Sequence, residues 1–129
     1  MGIEVLWDNE EKTIIRYDYG KDWSWDDFWT AVETSNAMVR TVSHTVDFIA
    51  NFEGGTPPPL GAFSKFKRAQ EISPPNVGII AIAGGSSFIN ALVSTFSRIY
   101  KQLGQRLIMT STLSEAREKL AERQKAAGA

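Results

Sequence analysis

Between Asn76 and Gly104 the sequence runs through an apolar stretch, a glycine pair and a long two-sided segment, and few folds accommodate that succession. Val77, Ile79, Ile80, Ala81, Ile82 and Ala83 form an almost unbroken apolar run that is too short to span a membrane. Such a run suits a strand covered on both faces, as in a parallel sheet. Gly84 and Gly85 break it, and Ser86 or Ser87 can cap the next helix. Phe88, Ile89, Leu92, Val93, Phe96, Ile99, Tyr100 and Leu103 recur at the spacing of one helical face, which predicts a single helix stopped by Gly104. The stretch is strand, turn and helix in one unit. Val77–Ala83 is therefore expected in the middle of a mostly parallel sheet.

The rest of the chain extends that unit in both directions. Ile3, Val5 and Trp7 alternate with Glu4 and Asp8, a strand period, and after the polar turn Asp8–Glu11 a second strand places Thr13, Ile15, Tyr17 and Tyr19 on one face. So short a turn implies an antiparallel hairpin. Ser24 is the N-cap of the first helix, Asp27 its capping-box partner, and Trp23 with Phe28 its hydrophobic staple. That helix runs to about Val42. A third strand, His44 to Phe52, turns Val46, Phe48, Ala50 and Phe52 to one face and Ile49 to the other. Pro57 and Pro58 hold the next loop extended, so the second helix is expected to start at Pro59 with Leu60, Phe63, Phe66 and Ala69 inward and Lys65, Lys67 and Arg68 outward. Arg106 to Thr110 reads as a fifth strand. Thr112 and Glu115 open a last helix with Leu113, Ala116 and Leu120 as its apolar stripe, a Glu115–Lys119 ion pair, and fraying expected from Arg123 to Ala129. The fold class is thus α/β. A mixed, mostly parallel five-stranded sheet with four helices, in the order ββαβαβαβα, forms one domain over residues 1–129.

Charge and composition narrow the functions open to such a domain. With 14 Lys and Arg against 15 Asp and Glu there is no basic excess of the kind nucleic-acid binding requires. No cysteine is present, so disulfides and thiolate chemistry drop out and a reducing cytoplasm is the expected location. The opening residues carry no signal-peptide pattern, and no apolar segment reaches membrane-spanning length.

Two loops at the carboxyl ends of strands carry the candidate sites, because open α/β sheets place their ligands there. The loop from Gly54 to Leu60 is either a docking surface centred on Thr56 or a stiff connector whose prolines start a helix. At Gly84, Gly85, Ser86 and Ser87 free N–H groups can hold an anion, or the segment is a tight turn with its cap. Trp7, Tyr17, Tyr19, Trp23, Trp25, Phe28 and Trp29 crowd the first helix, as core, as a dimer face or as the lining of an apolar cavity. His44 is the only histidine and reads as a loop residue, with no residues spaced to complete a metal site. Lys65, Lys67 and Arg68 form a solvated face, or with Arg98, Lys101 and Arg106 a basic patch. No nucleophile elbow or phosphate loop appears, so a non-enzymatic role without a cofactor is expected.

The element order, with a glycine-rich break after the third strand, resembles the STAS domain of bacterial anti-sigma-factor antagonists and the related small proteins grouped with lipid-binding CRAL-TRIO-like folds. In that family an Asp-Ser-Ser-Gly-Leu-Gly stretch opens the second helix, and one serine accepts the phosphate that releases a kinase or anti-sigma-factor partner. The corresponding stretch here is Thr56-Pro57-Pro58-Pro59-Leu60-Gly61. Leu60 and Gly61 match, while both serine positions hold proline, leaving Thr56 as the neighbouring hydroxyl for a phosphate. The resemblance implies a regulatory interaction module without the usual phosphoserine switch. Its protein partner, or a second copy of the chain, would dock on Gly54, Gly55, Thr56, Leu60, Gly61 and Ser64. The alternative is a carrier or sensor of a small apolar or anionic ligand.

Overall fold

Alternating and apolar strand segments assemble into a single five-stranded sheet in the computed structural model, which describes residues 2–128. The strands lie side by side in chain order: β1 (Ile3–Trp7), β2 (Ile14–Tyr19), β3 (Val46–Asn51), β4 (Val77–Ala83) and β5 (Leu107–Met109). β1 is antiparallel to β2, and every later neighbour is parallel. β4 therefore has a strand on either side, and its residues divide between two cores. Ile82 packs with Ile15, Tyr17 and Tyr19 on one face, while Ala81 and Ala83 pack with Ile14 and Ile49 on the other.

Between Val46 and Phe48 the β3–β4 register slips. Asp47, buried at that irregularity, accepts from Ile79 N at 2.8 Å and from Gln124 Nε2 at 2.8 Å. A polar side chain thus takes over where the ladder is disturbed.

Helices cover the sheet unequally. α1 (Trp25–Val39), α2 (Ala62–Glu71) and α3 (Ser87–Ile99) roof the face of Tyr17 and Ile82, and α5 (Leu113–Gly128) alone covers the other. α1 begins as its sequence dictates. Ser24 Oγ accepts from Asp27 N at 3.1 Å, Asp27 Oδ2 accepts from Ser24 N at 3.0 Å, and Trp23 lies against Phe28. It ends at Val39, short of Val42. His44, in the loop leading to β3, bonds through Nε2 to Lys12 O.

Three expectations are corrected. α2 begins at Ala62, not Pro59, because the chain turns into it at Gly61 in the left-handed region (φ 88°). Leu60 is consequently outside the helix and 96% exposed, not inward. The predicted continuous helix to Gly104 is broken at Tyr100 (φ −115°, ψ 76°), giving a separate short α4 (Lys101–Gly104) and five helices instead of four. The break turns Gly104 back onto Ser97; Phe88, at the start of α3, and Ile99, at its end, are more than half exposed.

α5 passes Arg123 without a break, to Gly128, where fraying was expected. Gln124 accepts from Thr13 Oγ1 and donates to Asp47, which ties that last part of the helix to the sheet. Ala129, the end of the expected tail, lies outside the described residues. Glu115 turns its carboxylate to Ser111 N at 3.1 Å, and among the described residues no Glu115–Lys119 pair forms. No helix among the described residues is long and apolar enough to cross a membrane.

Candidate functional site

The roof formed by α1, α2 and α3 does not close on the sheet. α5 lies close along β3 and β4, whereas neither α2 nor α3 comes as near to any strand. The residues on the roofed face account for this. Tyr17, Tyr19, Phe48 and Phe52 stand up from β2, β3 and the end of β3, and Phe28, Phe66 and Phe96 come down from the helices. Rings meet edge to face there, Tyr17 with Phe48 at 66° and Phe28 with Phe66 at 67°, and they hold the helices at ring width from the sheet. A partly enclosed cavity of about 150 Å³ remains between them.

Among the described residues no Asp, Glu, Lys, Arg or His lines that cavity. Burial pushes the Tyr17 phenol well up, against a smaller opposing pull from its Ser35 hydrogen bond, and burial likewise raises Tyr19. Both phenols therefore stay neutral, and the chamber presents no charge.

Besides the two phenols, its polar side chains are Ser35 and Asn36 on α1, Gln70 on α2 and Ser73 just beyond α2. All four sit in or after the C-terminal halves of helices that deliver the chain to the amino ends of β3 and β4. Most of their hydroxyls are committed. Tyr17 Oη donates to Ala31 O at 3.2 Å and shares a 2.5 Å bond with Ser35 Oγ, and Ser73 Oγ donates to Gln70 O at 2.7 Å. Gln70 Oε1 is buried without a hydrogen-bond partner among the described residues. At the opposite, carboxyl end the lining includes Phe52, Pro58 and Ile89.

The sequence-predicted sites lie around that carboxyl end. Thr56 N donates to Gly20 O at 3.1 Å, Trp23 Nε1 donates to Thr56 O at 2.9 Å, and Trp25 Nε1 donates to Leu60 O at 3.0 Å. Two indoles from the start of α1 thus pin the whole Gly54–Leu60 loop. The fit at Gly55 is tight enough that a Cβ there would fall 2.1 Å from Tyr19 O, so only glycine lets the two loops meet. Ser64 Oγ bonds to Gly61 O at 3.2 Å, and Lys65 Nζ lies over the Trp25 ring at 5.1 Å. Leu60 projects from this fixed frame into solvent.

The second glycine turn is held separately. Gly84 has φ 72°, and its N–H donates to Ser111 O at 3.2 Å. Ser86 caps α3 through Ile89 N at 3.3 Å, while Ser87 is the first residue of that helix and exposed. Glu53 packs directly against Gly84, and its Oε1 accepts from Leu113 N at 3.3 Å. A carboxylate beside the turn is an unfavourable neighbour for an anion. The two loops share a rim, but Thr56 leans toward β2 and Gly84 toward β5, so they do not converge on one ligand.

Lys67 and Arg68 are paired with Glu71, at 3.3 and 3.9 Å, which reduces the charge of the suspected basic patch. Among the described residues no cluster of three or more acidic or histidine side chains is placed to hold a metal ion.

The polar wall of the cavity had a signal in the sequence. Val32, Ser35, Asn36 and Val39 share one helical face, as do Phe66, Ala69, Gln70 and Ser73, so polar side chains occupy positions that periodicity turns inward. Read for apolar residues alone, those positions pass unnoticed. No family model, curated protein or solved structure matches the chain.

Proposed function

We propose that the chain is a non-catalytic carrier or sensor of a small, neutral, apolar ligand held between the sheet and helices α1, α2 and α3. The uncharged, aromatic-walled cavity of about 150 Å³ carries this reading. An engineered cavity of about that size, lined by aliphatic and aromatic residues, stays dry and takes up benzene. The absence of charge in the lining favours the apolar branch of the two ligand classes over the anionic one. Toluene tests it. At ten times its Kd it should raise Tm by about 5 °C, since binding to the folded state alone adds about 1.4 kcal/mol. No shift with toluene, and no co-purifying small molecule in native mass spectrometry of protein from its own host, would remove the support.

A second reading is favoured by Leu60, exposed on a loop that Trp23 and Trp25 hold in place. It is the protein-interaction module implied by the STAS-like resemblance, with a kinase-like or anti-sigma-factor-like partner, or a second copy, docking on Gly54 to Ser64. Thr56 would be its substitute phosphoacceptor, and a bacterial cytoplasm its setting. The Leu60→Asp variant should then lose the partner while keeping the fold; a partner retained by that variant counts against the reading.

A further inference from the structure

We infer that the cavity selects a neutral hydroxyl-bearing ligand of single-ring size, and that the side-chain amide of Asn36 exchanges hydrogen bonds with that hydroxyl. The inference rests on the cavity being a ligand site, and it adds the chemical class of the occupant. Asn36 lies in the cavity wall on the buried stripe of α1, between Val32 and Val39, and is only 8% exposed. Its main-chain oxygen accepts from Arg40 N at 3.1 Å, yet among the described residues its side-chain amide has no partner. Nor is that amide sealed off, as Gln70 Oε1 is, so a small molecule can reach it. A nine-tenths-buried amide with donor and acceptor both free is a poor choice for packing and a ready one for a guest.

The hydroxyls of the cavity wall have other commitments. Tyr17 and Ser35 are bonded to each other, with Ala31 O and Val32 O as their further partners, and Ser73 Oγ donates to Gln70 O. Trp25 and Phe28 of α1 meet Phe66 of α2, and Asn36 and Ser73 each follow about two turns further along two helices that run the same way. The free amide thus stands at the seam of the roof, at the cavity end toward the amino ends of β3 and β4.

A primary amide gives hydrogen bonds through Nδ2 and takes them through Oδ1, and a hydroxyl can answer either. Because no charged side chain among the described residues lines the space, the group must be neutral, a hydroxyl rather than a carboxylate or an ammonium. The walls set the rest of the ligand. Tyr17, Phe28, Phe48 and Phe66 offer ring edges and faces, and the volume of about 150 Å³ suits one ring with a short substituent. A phenol meets all of these conditions, with its hydroxyl at Asn36 and its ring among the aromatic walls.

Phenol and toluene are near-isosteric and differ in the hydroxyl, so they separate this inference from the reading beneath it. Both are titrated by calorimetry into wild type and Asn36→Leu, which keeps the branched shape and removes both polar atoms. The ratio of phenol to toluene affinity should fall about tenfold in the variant, the usual effect of one neutral buried hydrogen bond and its unmade counterpart. An unchanged ratio, with toluene still binding wild type, overturns the role of Asn36 and leaves the apolar site standing. If neither compound binds wild type, site and inference fall together. Should Asn36→Leu not fold, or bind neither compound, the side-chain N–H resonances of Asn36 in wild type decide: phenol must move them well beyond the shift toluene causes, and equal shifts overturn the inference.

Discussion

The two faces of this sheet are built from the same strands and behave as opposite materials. On the α5 side Ile14, Ile49, Ala81 and Ala83 meet Ala116 and Leu120, small and branched residues that let helix and sheet approach closely. On the other side rings meet rings across α1, α2 and α3, and a chamber survives. Alternation along a strand assigns residues to faces, but residue shape decides whether a face seals. The sealed side supplies stability, which frees the open side to hold a void and an unpaired Gln70.

The contrast can be broken hardest at Leu120, fully buried in the sealed face. Leu120→Ala should cost about 3 kcal/mol in urea unfolding, because packed surroundings collapse little into the space created. A cost below about 1 kcal/mol would mean that the α5 side is as forgiving as the other.

Beyond the apolar part of that face the seal is ionic. Asp8, its side chain 3% exposed, accepts from Arg16 Nη1 and from Arg117 Nε and Nη2, joining β1 and β2 to α5. Burial alone would raise the Asp8 carboxyl, but the hydrogen bonds from Arg117 and Arg16 outweigh it and hold the carboxyl below its ordinary value. A carboxylate whose folded pKa is depressed stabilises the fold above its unfolded pKa and loses that contribution as pH falls through the folded one. Asp8→Asn should therefore cost about 2 kcal/mol at pH 7 and flatten the loss of stability expected below about pH 4. Equal acid sensitivity in both proteins would assign that loss to other carboxylates.

A matched pair of smaller changes sharpens the comparison directly. Ala81 is in the sealed face and Ala50 in the cavity wall. Ala81→Val should destabilise by about 1.5 kcal/mol through overpacking, while Ala50→Val should be neutral or stabilise by about 0.5 kcal/mol by filling space. If both variants lose stability alike, the cavity is not available volume.

Much of the frame is legible in the sequence because it follows from local chemistry. Ser24 with Asp27 announces a helix start, the Asp8–Glu11 turn a hairpin, and Val77–Ala83 a strand buried on both sides. Where periodicity misleads, it does so for one reason. Leu60 and Phe88 to Leu103 carry apolar side chains at helical spacing, but backbone turns at Gly61 and Tyr100 interrupt the predicted helices: Leu60 is left outside α2, and α3 ends at Ile99. Gly84 announces a turn, yet Glu53, whose main chain and Cγ lie against it, comes from a distant strand end and has no local signature. The cavity is illegible for a related cause. A void is the remainder left by side chains from β2 to β5 and α1 to α3, and no single segment encodes it.

Within the roof itself a last contrast separates α1 from α2. α1 carries a complete capping box, whereas Gly61 gives α2 no side-chain cap and Ser64 bonds only back to Gly61 O. Ser24→Ala should cost about 1 kcal/mol, and Ser64→Ala less than about 0.5 kcal/mol, since only the first leaves helix N–H groups without their partner. The same asymmetry predicts which roof helix yields to an entering ligand. In native-state hydrogen exchange the amides of Ala62–Glu71 should be released by smaller openings than those of Trp25–Val39, and a saturating aromatic guest should protect the α2 amides most. α2 amides protected as strongly as those of α1 in the free protein would move the entrance elsewhere, because a helix that opens no more readily than its capped neighbour has no reason to be the door.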